Sequence, residues 1–328
     1  MVEQTWIRLA ARCFLPASRF LARAGVLATS AAALGLTIAP AVAQQFLDDT
    51  PRLAVICAFA PELEALLART DVERTVEENG VRFSLGTLAG KPVVVFASGV
   101  SMVNAAMTTQ LALDRFNIDA VIVDGIAGGV DPELDIGDVI VPARWGQYLE
   151  AIFARETEAG FAPPPWAKLP HPNFDMIHPQ EVEVRSEGNG EAESKFWFEA
   201  DPELLKIAGA VVDKAELKTC SADNACLPTE PRIVVGGRGV SGQAFVDNAE
   251  FREYVSRTFE AEVLDMETAA VAHVAYANDV PFIGFRSLSD LAGGGVGENE
   301  MATFMNLAAE NAAAVLVAFI EALPAPVK

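Results

Sequence analysis

Five segments of the sequence end an apolar, strand-like run in residues that could do chemistry. They are AFAPELE (58–64), ASGVSMVNAA (97–106), DGIAGG (124–129), VLDMETAA (263–270) and FRSLSDLAG (285–293). In an open α/β sheet the ligand crevice lies outside the carboxyl ends of the strands, so side chains at such junctions are the first candidates for a site. Singly, each pattern is ordinary: a glycine-rich loop is a tight turn, and a carboxylate at a helix start complements the helix dipole. Together they supply six carboxyl groups, Glu62, Glu64, Asp124, Asp265, Glu267 and Asp290. Two carboxyls held in different protonation states can protonate a poor leaving group and activate a nucleophile. A third can grip vicinal hydroxyls through charge-assisted hydrogen bonds.

The elements around these segments alternate. Residues 53–59 read as a strand buried on both faces, and Pro61 followed by ELEALLAR reads as a helix with proline in its first turn. Residues 81–88 and 92–97 read as a hairpin turned at Gly90-Lys91, residues 100–116 as a helix, and 120–123 as another buried strand. Beyond residue 231 come RIVVGGRGV, a helix from about Asn248, the strand AEVLD, a helix from Glu267, the strand PFIGFRSL and a long final helix from about Glu298. The class is α/β. Residues 146–231, with prolines at 163–165 and the polar SEGNGEAE, read as an insertion, partly structured by a helix that starts at Asp201-Pro202. Phe196-Trp197-Phe198 reads as core packing, with a substrate mouth or a subunit interface as alternatives.

In this order, with SGQAFVDN (241–248) between the third and fourth, the segments resemble the purine and uridine phosphorylase superfamily, specifically its methylthioadenosine/S-adenosylhomocysteine nucleosidase branch. The resemblance implies a single three-layer α/β/α domain around a mixed, partly barrel-like sheet, usually a homodimer. It implies Glu62 as the base for water and Asp290 as the acid. Ala127 and Gly128 would lie along the purine and ribose, Phe245 against the purine ring and the Val246 backbone at its edge. Met266 would lie under the ribose and Glu267 on its 2′ and 3′ hydroxyls, with Asp265, Arg286 and Ser289 alongside. Ile126 stands where several relatives have serine. The implied substrate is a purine nucleoside, with a 6-amino purine matching the donor and acceptor of Asp290; no cofactor is implied. Phosphorylases of the superfamily carry an arginine in the loop after the first strand, and AFAPELE has none, which favours water as nucleophile. A phosphorylase and a non-catalytic nucleoside-binding or storage protein are the alternatives.

The remaining sequence bounds where such a protein works. A formal net charge of −21 repels phosphate backbones and excludes nucleic acid as a natural partner. Arg8, Arg12, Arg19 and Arg23 precede an apolar run over residues 24–40, and Ala41-Val42-Ala43 offers a small-x-small cleavage site. Residues 1–43 therefore read as a cleavable signal peptide, residues 46–325 as the mature domain, and the destination as periplasmic or secreted with no stable membrane anchor. In an oxidising compartment Cys220 and Cys226 read as a short-loop disulfide, with two free thiols as the alternative. His171, His178 and His273 are too scattered to suggest a metal site.

Overall fold

A computed structural model describes residues 46–324 of the chain; the proposed signal segment lies outside the described residues. The unbroken apolar run ahead of Glu62 forms the strand Asp48–Cys57, buried from Ala54 to Cys57. It runs parallel to both neighbours, Lys91–Ala97 and Phe116–Gly129, as a strand covered on both faces should. Beyond Lys91–Ala97 the expected hairpin with Val81–Leu88 is extended by a further antiparallel strand, Thr70–Glu78. That strand is largely exposed and polar, so no buried face announces it in the sequence.

The 14-residue strand Phe116–Gly129 organises the site. It pairs in parallel with Asp48–Cys57 over its first half and with Phe282–Asp290 further on, while Gly128 and Gly129 pair antiparallel with Val263–Asp265. Changing partners along one strand curls the mixed 12-stranded sheet. It brings three distant strand ends to the glycine-rich segment 124–129.

Helices cover both faces. Ala60–Leu67, Pro202–Gly209 and Met301–Ala322 share one apolar cluster, and Met102–Arg115 with Thr268–Ala277 packs into another. Met301–Ala322 is long and apolar enough to cross a membrane, yet Leu307, Leu316, Phe319 and Ile320 are fully buried against the sheet, which makes it a core helix. Burying such side chains contributes roughly 1.5–3 kcal/mol each.

The stretch read as an insertion is only in part peripheral. Three two-stranded ribbons occupy its first half: Ala151–Phe153 with Ile177–Pro179, Arg155–Thr157 with Gly160–Ala162, and Val182–Val184 with Glu193–Lys195. Trp197–Glu199 instead forms an edge of the main sheet, antiparallel to Arg144–Gln147. Phe198 stacks on His273 at 4.7 Å and Phe196 on Phe259 at 5.3 Å, so the aromatic run is core. Asp201 caps the helix Pro202–Gly209, its Oδ1 accepting from the Glu203 and Leu204 N–H groups at 2.9 and 3.0 Å. Residues 196–209 therefore belong to the fold proper. RIVVGGRGV splits into Ile233–Val235 and Arg238–Ser241 at two glycines with positive φ, and the halves pair with different neighbours. Cys220 and Cys226 are joined as a disulfide.

Candidate active site

Glu62 sits in the first turn of Ala60–Leu67, 1 % exposed. Its Oε2 accepts from the Ala58 and Phe59 N–H groups at 2.5 and 3.3 Å, and its Oε1 from the Ile126 N–H at 2.8 Å. The backbone at Ile126 thus holds the carboxylate whatever the side chain there. Burial raises the Glu62 pKa, opposed by the Arg286 guanidinium and by these three N–H donors. Gly125 makes the approach possible: a Cβ there would overlap Glu62 Oε1 and Arg286 Nη1.

Arg286 is the electrostatic hub, itself fully buried. Its Nη2 lies 2.7 Å from Asp265 and 3.4 Å from Glu267, its Nη1 3.5 Å from Glu62 and 3.2 Å from the Ile126 carbonyl, and its Nε donates to Thr268 Oγ1 at 3.0 Å. Burial works against its charge, but Asp265, Glu62 and Glu267 outweigh that and keep it protonated. Asp265 also accepts from the Ser241 and Thr268 hydroxyls. Its carboxylate is therefore committed to Arg286 and to the helix start, and Arg286 stands behind the cavity wall. Asp265 nonetheless lines the cavity, whereas Arg286 is not among the lining residues.

Glu267 faces the cavity, its Oε1 accepting from the Ser101 N–H at 2.7 Å. Burial pushes its pKa up to about 7, with Arg286 opposing and the Asp265 charge adding. Ser101 has φ of +84°, a strained conformation for a side-chain-bearing residue of the kind that gathers at functional sites.

Asp290 ends the strand Phe282–Asp290. Its Oδ1 accepts from the Ala292 N–H at 2.9 Å and from Asn299 Nδ2 at 3.3 Å, and its Oδ2 from the Ser289 hydroxyl at 2.9 Å. Burial raises its pKa against the pull of those donors, which favours the neutral acid.

A cavity of about 350 Å³ joins these groups. Glu62, Ala127, Gly128, Phe245, Val246, Asp265, Met266, Glu267, Ser289 and Asp290 all line it. Phe245 lines the cavity and is half exposed. Phe59, Val100 and Met301 also line the cavity; the sequence reading gave them no role, nor Ser101, although ASGVSMVNAA had been singled out. Asp124 is a further surprise. It is 1 % exposed with neither oxygen hydrogen-bonded to protein, and burial followed by the Glu62 charge raises its pKa well above the ordinary aspartate value.

Fold and site define an α/β protein with the buried carboxyl groups of Glu62, Glu267 and Asp290 around an apolar slot. The family model of the phosphorylase superfamily matches residues 52–321, and the chain belongs to that superfamily. It is 29 % identical to a 5'-methylthioadenosine/S-adenosylhomocysteine nucleosidase of Tolumonas auensis, over 83 % of this chain and 100 % of the relative. It is also 29 % identical to bark storage protein A of Populus deltoides, over 77 % of this chain and 81 % of that protein. Among solved structures it resembles the Neisseria meningitidis 5'-methylthioadenosine/S-adenosylhomocysteine nucleosidase in complex with methylthio-immucillin-A, with a TM-score of 0.61, 25 % identity, and coverage of 83 % and 99 % of the two chains.

Proposed function

We propose that the protein hydrolyses the N-glycosidic bond of purine nucleosides of the 5′-methylthioadenosine, S-adenosylhomocysteine and adenosine type, releasing adenine. One observation carries the reading: a buried base held by three N–H donors and a buried acid kept towards neutrality line the same slot as a carboxylate suited to a diol. The purine lies against Phe245 with its edge on the Val246 backbone, and the ribose lies over Met266 with its 2′ and 3′ hydroxyls on Glu267. As the bond to C1′ lengthens, positive charge develops on the sugar and negative charge on the base. Asp290 gives its proton to N7 of the leaving purine, and its other oxygen accepts from the 6-amino group. Glu62 takes a proton from the water that attacks C1′, leaving a free sugar hemiacetal. General acid and base steps of this kind contribute about 10²–10⁴ each.

Water is favoured over phosphate because the lining of the slot contains no lysine or arginine, and Arg286 is already matched by three carboxylates. Catalysis is favoured over storage because base, acid and diol-binding carboxylate are all retained and converge. We further infer a homodimer, supported by the exposed apolar Val100, Val103 and Met107 at and beside the slot. Export after cleavage near Ala43, with residues 46–325 as the mature domain, is supported by the arginine-led apolar leader and by the Cys220–Cys226 pair. The test is adenine release from a nucleoside panel by purified mature protein. Turnover of 5′-methylthioadenosine or adenosine is expected; tight nucleoside binding with no cleavage would assign the protein to storage.

A further inference from the structure

Asn299 lies outside the lining of the slot, in the glycine-rich link between Asp290 and the helix Met301–Ala322. Its amide has a defined orientation. The Oδ1 accepts from the Met301 N–H at 3.0 Å, so the Nδ2 end faces two carboxylates, donating to Asp247 Oδ1 at 3.2 Å and to Asp290 Oδ1 at 3.3 Å. Because Asp290 Oδ1 also accepts the Ala292 N–H at 2.9 Å, both of its lone pairs are engaged. The proton of the neutral acid then belongs on Oδ2. There it meets Ser289 Oγ at 2.9 Å, whose own hydrogen has a second acceptor in the Ala127 carbonyl at 3.3 Å. Ser289 can turn its hydrogen to Ala127 and receive the Oδ2–H until a purine nitrogen replaces it.

The link itself has little else to hold it. Gly293 and Gly297 have positive φ, and Val296 projects fully into solvent. Asp247, the other partner of the amide, directly follows Phe245 and Val246, so one side chain joins the acid to the loop that faces the base. The Asn248 N–H to Ala292 carbonyl bond, 3.1 Å, runs beside it.

We propose that Asn299 is a positioning residue that, acting through Asp290, reserves Oδ2 for the transferable proton and ties the acid to the purine-facing loop. This role rests on the nucleosidase reading above. The Asn299 bond is the longer of the two on Oδ1, and it is the one a 6-amino group displaces when a purine enters. The titratable groups facing Asp290 are Glu300, before the final helix, and Asp247, across the amide. The Glu300 charge opposes ionisation of Asp290, whereas the Asn299 N–H favours it. Removing that donor must therefore raise the pKa of Asp290.

The experiment is a carbon-13 NMR titration of aspartate-labelled protein, with the Asp290 signal assigned from Asp290→Asn, in wild type, Asn299→Ala and Asn299→Asp. The Asp290 titration should move up by about one pH unit in Asn299→Ala and further in Asn299→Asp. The alkaline limb of kcat/KM for adenine release, which reports the free enzyme, should move by the same amount, while the acid limb set by Glu62 stays in place. An unchanged Asp290 titration in both folded variants, or a lower kcat/KM with an unmoved alkaline limb, would overturn the proposal. A wild type that cleaves no nucleoside would instead overturn the reading of function, and the titration would still decide whether Asn299 holds Asp290.

Discussion

Replacing Asp290 with asparagine separates proton delivery from everything else that residue does. The carboxamide Oδ1 can accept the Ala292 and Asn299 donors as the carboxyl does, and the new Nδ2 can donate to Ser289 Oγ, which turns its hydrogen to the Ala127 carbonyl. The oxygen and one of the two Nδ2 hydrogens thus keep partners, and a buried ionisable group is removed. Folding stability should stay within about 1 kcal/mol of wild type, in the range of well-accommodated substitutions. The transferable proton is absent, however, and loss of general acid catalysis costs about 10²–10⁴ in rate, equivalent to roughly 3–5 kcal/mol of barrier. Adenine release by purified protein should show kcat reduced at least about 100-fold, with nucleoside affinity by calorimetry nearly unchanged. A folded Asp290→Asn protein whose kcat stays within about tenfold of wild type would refute the assignment of the acid.

Other consequences follow from the buried charges. Gly125→Ala should lower both kcat and Tm, because the new Cβ must displace Glu62 and Arg286 in a packed site, an overpacking cost of about 1–3 kcal/mol; wild-type turnover in that variant would show that the pair is not needed. Glu62 must be ionised to accept a proton, and burial raises its pKa. The acid limb of kcat/KM should therefore fall above the ordinary glutamate value of about 4.3, and a limb at or below that value would contradict the buried base. Asp124 has a folded-state pKa raised by burial, so its contribution is intact below the unfolded value and lost as pH rises towards the folded one. Thermal melts from pH 5 to 8 should accordingly show Asp124→Asn less destabilised by rising pH than wild type, and parallel curves would argue against a buried acid there.

Much of this was legible in the sequence because apolar periodicity and strand-end motifs coincide. Residues 53–59 and 120–123 read as buried strands and 281–288 as a strand, and Glu62 and Asp290, after the first and last of them, line one cavity. What was not legible depends on three-dimensional partners. Thr70–Glu78 has an exposed, charged surface, so nothing in its pattern marks a strand held only by the hairpin beside it. Trp197–Glu199 is three residues long, too short for periodicity, and becomes sheet through Arg144–Gln147. Arg286 sits within an apolar strand and reads as a site residue; its place behind the wall follows from Asp265, Glu62 and Glu267, more than 200 positions apart at the extremes. Ser101 acts through its backbone N–H, which no residue type announces. Asn299 acts through a tertiary contact from a link whose composition suggests only a flexible turn.

The central claim is that water is the nucleophile, and product analysis with and without inorganic phosphate tests it most directly. Purified mature protein incubated with 5′-methylthioadenosine or adenosine should release adenine and the free sugar at the same rate in both conditions. Cleavage that requires phosphate and yields the sugar 1-phosphate would contradict the account.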